Sequence, residues 1–144
     1  MANVCDIAAY ILEKHGPLTH MKLQKLTYYS QAWSLVWDEE PLFDEPIQAW
    51  INGPVVRTLY ADLRQLFKVR REDLTSGNSG TLTESQRETV EAVLETYGPK
   101  SSQWLSDLTH MERPWQEARE GLAPNDRSTR EITHAAMAEY YGSL

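Results

Sequence analysis

An uncharged run of twelve residues, Leu26 to Trp37, constrains the fold more than any other feature of the sequence. The run falls short of the roughly 18 apolar residues that a membrane-spanning helix needs. Together with the residues before it, the run predicts an α-helix that starts after Thr19, a suitable N-cap, and ends at Trp37. Because apolar side chains recur on two faces of this helix, we expect it to lie at the centre of a helical fold, packed on several sides.

Apolar periodicity and end signals predict shorter helices around this central one. They are expected from Val4 to Gly16, from Pro54 to Lys68, from Thr83 to Gly98, from Ser101 or Ser102 to Met111, from Pro114 to Gly121, and from Thr133 to Tyr141. Ile47–Ile51 alternates as a short strand does, with Leu42-Phe43 as its candidate partner, and residues 73–82 predict a mobile surface loop. The predicted fold class is mainly α (α+β): one domain over residues 1–144, a compact bundle of about six to seven helices with a small two-stranded β ribbon near residues 42–51.

Composition and charge exclude several classes of protein. Hydrophobic residues make up 41% of the chain, which is typical of a folded domain rather than a disordered one. The formal net charge of −7 argues against general nucleic-acid binding. Cys5 is the only cysteine, so the sequence predicts neither an internal disulfide nor a zinc ribbon. The N-terminus lacks the pattern of a signal peptide, and we expect a cytoplasmic protein.

The stretch LTHMERPW contains the strongest candidate for chemistry, with His110 two residues before Glu112. A zinc deaminase needs two cysteines downstream, and the helical zinc-protease pattern needs a second histidine where Pro114 stands. We therefore expect no metal site and no catalytic residue. In a structural interpretation, His110 binds carbonyl groups at a helix end, and Glu112 faces the amides of the helix that Pro114 opens. A small cytosolic enzyme that uses His110 and Glu112 is the alternative.

One cluster of basic residues opposes the overall charge. Arg57, Arg64 and Lys68 share the polar face of the third predicted helix, and two further arginines complete a basic patch over Arg57–Arg71. A solvated helix face is one interpretation, and a contact surface for an acidic partner is the other. A nucleic-acid-binding module that uses this patch is a further alternative, although nucleic acid is not the expected partner.

The chain is rich in aromatic residues, with five tryptophans and seven tyrosines. Trp33, Trp50 and Trp115 lie on apolar faces or at a predicted corner between helices, so we expect them in the core. Tyr29 and Trp37 belong to the doubly apolar central helix. Burial in the core is the more usual use of such aromatic residues, and contact with a partner is the alternative, for which these two are the candidates.

Three stretches of the sequence are distinctive when they are taken together. They are KLQKLTYYSQAW from Lys22, PLFDEPIQAW from Pro41 with GPVV from Gly53 after it, and LTHMERPWQEAR from Leu108. In this combination the chain, from about Met21 to Arg119, resembles the Panacea domain, the SocA-like antitoxin family that includes phage-associated GepA-type proteins. The matching residues, expected to be structural or to adjoin a partner surface, are Lys22, Leu26, Tyr28, Trp33, Trp50, Gly53, Pro54, His110, Glu112, Pro114 and Trp115.

The resemblance implies an antitoxin. Members of this family neutralise a small toxin encoded beside them by binding it directly, and some deliver the toxin to a protease. The expected partner is therefore a cognate protein toxin, with a cellular protease as a further partner, and neither a membrane nor a cofactor is implied. The family's motifs bring no established catalytic role to these positions.

Overall fold

The structure, a computed structural model, describes residues 2–144. Its α-helices are α1 (Val4–His15), α2 (His20–Trp37), α3 (Arg57–Leu63), α4 (Glu84–Tyr97), α5 (Ser102–His110), α6 (Arg113–Ala118) and α7 (His134–Gly142). Its strands are β1 (Leu18–Thr19), β2 (Ile47–Trp50), β3 (Gly53–Val56), β4 (Lys68–Val69) and β5 (Glu131–Ile132). The predicted fold class, mainly helical with a small antiparallel sheet, is confirmed.

Helix α2 is the central element of the fold, as its two apolar faces predict. Every residue from Leu23 to Ala32 is buried, and α1, α4, α5 and α7 all pack against the helix. The side-chain oxygen of Thr19 accepts a hydrogen bond from the amide of Lys22 at 3.1 Å, which confirms the predicted N-cap. Among residues 2–144, no helix is both long and apolar enough to cross a membrane.

The other helix ends with local signals are also where the sequence predicts them. Thr83 caps α4 in a capping box with Gln86, and Thr133 caps α7 by accepting a hydrogen bond from the amide of Ala136. Helix α1 ends at Gly16, whose φ of +91° suits a glycine.

The prediction for the partner of strand β2 is wrong. β2 lies between β3 and β5, with Ala49 opposite Pro54 in the antiparallel pair with β3. Pro54 therefore does not open a helix; it lies in an edge strand, where its missing N–H removes no sheet hydrogen bond. Leu42 and Phe43 are buried but unpaired in a sheet, because the side chain of Gln31 accepts hydrogen bonds from both of their amides.

Helix α3 is consequently shorter than predicted, since it begins at Arg57 and ends at Leu63. Gln65 has a φ of +77°, a left-handed conformation that the helix cannot contain. The chain then returns to the start of α2, where the His20 amide donates to the Phe67 carbonyl at 2.8 Å, and Lys68 enters β4 opposite β1. The predicted surface loop over residues 73–82 is connected to α1 by a hydrogen bond, which the amide of Asn78 donates to the buried carboxylate of Asp6.

A buried carboxylate, a cationic cavity and a basic surface

The carboxylate of Glu112, at the start of α6, is buried among tyrosines of α2 and α7. The hydroxyls of Tyr29 and Tyr141 each donate a hydrogen bond to Glu112 Oε1 at 2.7 Å. The hydroxyl oxygens of Tyr28 and Tyr141 are 3.0 Å apart. Because Tyr141 has one hydroxyl hydrogen and gives it to Glu112, Tyr28 is the donor in this second bond. Hydrogen bonds thus connect α2, α7 and α6 through the protein interior.

The surroundings of these groups shift their pKa values. Burial raises the pKa of Glu112, although the two tyrosine hydrogen bonds act in the opposite direction. Burial and the nearby Glu112 raise the pKa of Tyr29 far above its usual range, and burial does the same for Tyr141. The tyrosines therefore remain neutral donors, and the cluster has no ionisable face open to a substrate.

Two predictions about this cluster need correction. Glu112 is the N-cap of α6, but its side chain makes no capping hydrogen bond because it points to the tyrosines instead. Tyr29 is fully buried, so it is not available to a partner. The sequence placed both residues in a family motif but did not indicate that they bind each other.

The imidazole of His110 connects the end of α5 to the turn between β2 and β3 by hydrogen-bond contacts. Its Nδ1 lies 2.6 Å from the Ser106 carbonyl oxygen, and its Nε2 lies 2.8 Å from the Ile51 carbonyl oxygen. The first contact is with a carbonyl one turn earlier in the same helix, whereas the sequence predicted the unpaired carbonyls at the helix end. Both ring nitrogens therefore lie within hydrogen-bond distance of backbone carbonyl oxygens. Since His110 and Glu112 bind different partners, they are not arranged as an acid–base pair.

The three tryptophans expected in the core are all half-buried, and only two of them pack against it. Trp33 donates its ring N–H to the Tyr97 hydroxyl at 3.0 Å, and Trp115 donates to the Trp50 carbonyl at 2.8 Å while its ring contacts His110. Trp50 differs, because its indole lines a cavity rather than the core.

The other motif residues have structural positions. Leu26 and Pro114 are buried, and the ammonium group of Lys22 donates to the Gly98 carbonyl at 2.7 Å, at the end of α4. A Cβ atom on Gly53 would lie 2.7 Å from Lys25 Cε, and the φ of Gly53 is +118°, so glycine is required there.

The cavity lies between the first half of α2, the turn after β2, and the side chain of Tyr60 on α3. Its volume is about 750 Å³. The residues that give it its chemical character are His20, Gln24, Lys25, Trp50, Tyr60 and Arg127. Among residues 2–144, no aspartate or glutamate lines it. The cavity is therefore cationic in a protein that is acidic overall.

Lys25 is the most unusual residue of this cavity, because it is 1% exposed and has no acidic partner. Its ammonium group donates to the Pro54 carbonyl at 3.2 Å, and burial lowers its pKa to about 7. Burial and the charge of Lys25 also lower the pKa of His20 to about 4. Lys25 was not predicted as a site residue; the available signal was a lysine between Leu23 and Leu26, on a helix with no solvated face.

The candidate partner residues fall on two separate surfaces. Arg57, Arg64 and Lys68 are exposed near the start of α2, whereas Trp37, 51% exposed, lies at its end. An 18-residue helix is about 27 Å long, so one small contact does not cover both surfaces.

In the structure, ion pairs neutralise part of the basic patch that the sequence predicts. Arg70 forms ion pairs with Glu72 and Asp73, and Arg71 forms one with Glu13. Within residues 2–144, no ion pair engages Arg57, Arg64 or Lys68. Beside them Phe67 is 83% exposed, and Leu66 is also on the surface. We call Arg57, Arg64, Phe67 and Lys68 the basic–aromatic surface.

The fold and these sites define a mainly helical protein in which tyrosines bind a buried carboxylate and in which cations without ion pairs lie at a cavity and on the surface. Within residues 2–144, no group of three or more histidine, cysteine, aspartate or glutamate side chains is arranged to hold a metal ion.

Residues 23–116 match the family model for the antitoxin SocA-like, Panacea domain, and the chain belongs to that family. No curated protein and no solved structure matches the chain. The matched segment includes Tyr29, Glu112 and Trp115, whereas Tyr141 lies outside it.

Proposed function

We propose that the protein is an antitoxin that neutralises a cognate toxin in the cytoplasm by binding it directly. The observation that carries the proposal is the family match over residues 23–116. The buried groups also favour binding over catalysis, because Glu112 and His110 are each occupied by internal hydrogen bonds and do not face each other.

The basic–aromatic surface is our candidate for the toxin-binding site. Phe67 is the most exposed large hydrophobic residue among residues 2–144, and a desolvated aromatic side chain is a common anchor of an interface. Arg64 and Lys68, two exposed cations without ion pairs, are within three residues of it in the chain, and Arg57, a third, begins the preceding helix, in a protein whose net charge is −7. This combination suits an acidic surface on the partner, which would be attracted by the cations and held by Phe67.

The first experiment tests neutralisation itself. The protein is co-expressed with the small toxin encoded beside its gene, and growth is measured. Rescue of growth supports the proposed function, and continued growth arrest with a folded, expressed protein contradicts it. Toxin abundance in the same cells separates two modes, because direct blocking leaves the toxin level unchanged and delivery to a protease lowers it.

The second experiment tests the surface. Association and dissociation rates with the purified toxin are measured at two ionic strengths for Arg57→Glu/Arg64→Glu and for Lys100→Glu/Arg113→Glu, which makes the same change in net charge elsewhere. We expect the first variant to associate about tenfold more slowly and with weaker salt dependence, while the control changes little. Phe67→Ala should mainly accelerate dissociation. Equal rates for wild type and both double variants would remove this surface from the mechanism.

A further inference from the structure

The cavity beside α2 has the size and the wall of a small-molecule site. Its volume of about 750 Å³ is within the usual range for ligand pockets. Trp50 and Tyr60 meet edge to face with their ring centroids 4.9 Å apart, and His20 stacks on Tyr60 at 5.3 Å. These three rings provide a largely apolar, aromatic wall for the body of a ligand.

The polar part of the cavity includes one strong donor, Lys25, that lacks matching acceptors. An ammonium group has three hydrogens to donate, yet within residues 2–144 Lys25 has one hydrogen-bond partner, the Pro54 carbonyl. The nearby amide of Gln24 is already engaged with His20 and with the backbone of Val56. Burial, which removes water from the ammonium group, lowers the pKa of Lys25 to about 7.

We propose that this cavity binds a small carboxylate ligand that carries a flat apolar group, with the carboxylate against the ammonium group of Lys25 and the apolar group against Trp50 and Tyr60. A carboxylate suits the site, because one negative charge balances the one buried cation of the lining. The same chemistry is found in a free aromatic acid and in the carboxyl end of a peptide. The inference does not depend on toxin neutralisation.

The test uses pairs of acids and their amides, which have the same shape and differ in charge. Benzoate and benzamide represent free aromatic acids, and N-acetylphenylalanine and its amide represent a peptide end. Binding to the full chain is followed by NMR, with the indole N–H of Trp50 as the reporter in the cavity. The variants are Lys25→Met, which keeps the side-chain length without the charge, and Lys22→Met, three residues earlier on α2 and outside the cavity.

We expect at least one acid to shift the Trp50 signal and to bind about tenfold or more tightly than its amide. Lys25→Met should abolish the preference for the acid, and Lys22→Met should retain it. The pair that binds distinguishes a free acid from a peptide end. Equal binding of acid and amide, an acid preference that persists in Lys25→Met, or no binding by wild type up to about 10 mM would each overturn the proposal. The wild-type comparison of acid with amide stands even if Lys25→Met does not fold.

Discussion

Two of the buried charged residues, Lys25 on α2 and Glu112 packed beside it, have different surroundings. Glu112 receives hydrogen bonds from the hydroxyls of Tyr29 and Tyr141, whereas Lys25 has one carbonyl partner and borders a cavity. The two charges do not form a salt bridge with each other. A buried charge whose partners are all internal stabilises one arrangement of helices, while a buried charge that lacks partners beside open space is suited to a ligand. The structure thus separates a scaffold region from a binding region along α2.

The largest loss of stability is expected in the scaffold region, from Glu112→Leu. The substitution leaves two buried tyrosine hydroxyls without their acceptor, at a cost of about 1–3 kcal/mol each, so the free energy of unfolding should fall by about 3 kcal/mol. Urea unfolding measures this change. Glu117→Leu, an exposed position on the same helix, is the control and should change stability by less than about 0.5 kcal/mol. If the two variants are equally stable, Glu112 is not part of the scaffold.

A smaller loss of stability is expected from Trp115→Ala, at the position where the scaffold region meets the binding region. Trp115 packs against the core and His110 and holds the carbonyl of Trp50, the residue that lines the cavity. Because the ring is only half-buried, we expect a loss of about 2 kcal/mol rather than the 3–5 kcal/mol typical of a core tryptophan. Thermal unfolding of Trp115→Ala is compared with that of Trp104→Ala, an exposed position on α5 that should change little. An unchanged melting temperature in Trp115→Ala would show that the corner it occupies is not structural.

In the binding region, we expect the contribution of Lys25 to stability to depend on pH. The pKa of Lys25 is lowered from 10.5 to about 7 in the folded chain. Between these values the unfolded chain holds a proton that the folded chain has released, so wild-type stability should rise with pH relative to Lys25→Met. The rise is at most about 1.4 kcal/mol per pH unit above pH 7, and below pH 7 the difference between the two proteins should be constant. Urea unfolding of both proteins from pH 6 to pH 9 gives two curves of unfolding free energy against pH. Parallel curves would mean that the pKa of Lys25 is not lowered in the folded chain.

The parts of the fold with local signals could be predicted from the sequence. The caps at Thr19, Thr83 and Thr133 lie within three residues of the amides that they accept from, so nearby residues suffice to predict them. The burial of both faces of α2 was predictable for a similar reason, because apolar side chains repeat along the helix itself.

What could not be predicted depends on residues far apart in the chain. Pro54 is suitable both for the first turn of a helix and for an edge strand, and the strand is favoured because Gln24, on α2, binds the backbone of Val56. Glu112 and Tyr29 are 83 positions apart, and no local pattern indicates that they meet. Sequence motifs also gave no sign of the cavity, since its wall combines α2, α3 and the segment around Arg127.

The last helix has a consequence for how the chain assembles during synthesis. Tyr141 meets Tyr28 across 113 positions and gives Glu112 one of its two hydrogen bonds, while β5 adds the third strand beside β2. Contacts this distant in sequence form late, because the ends of a long segment must be brought together first. On the ribosome, α2 and α6 are exposed well before α7 emerges. The buried hydrogen bonds among Glu112 and the tyrosines are therefore complete only when residue 141 has left the exit tunnel. Until then the nascent chain is exposed to proteases and to aggregation.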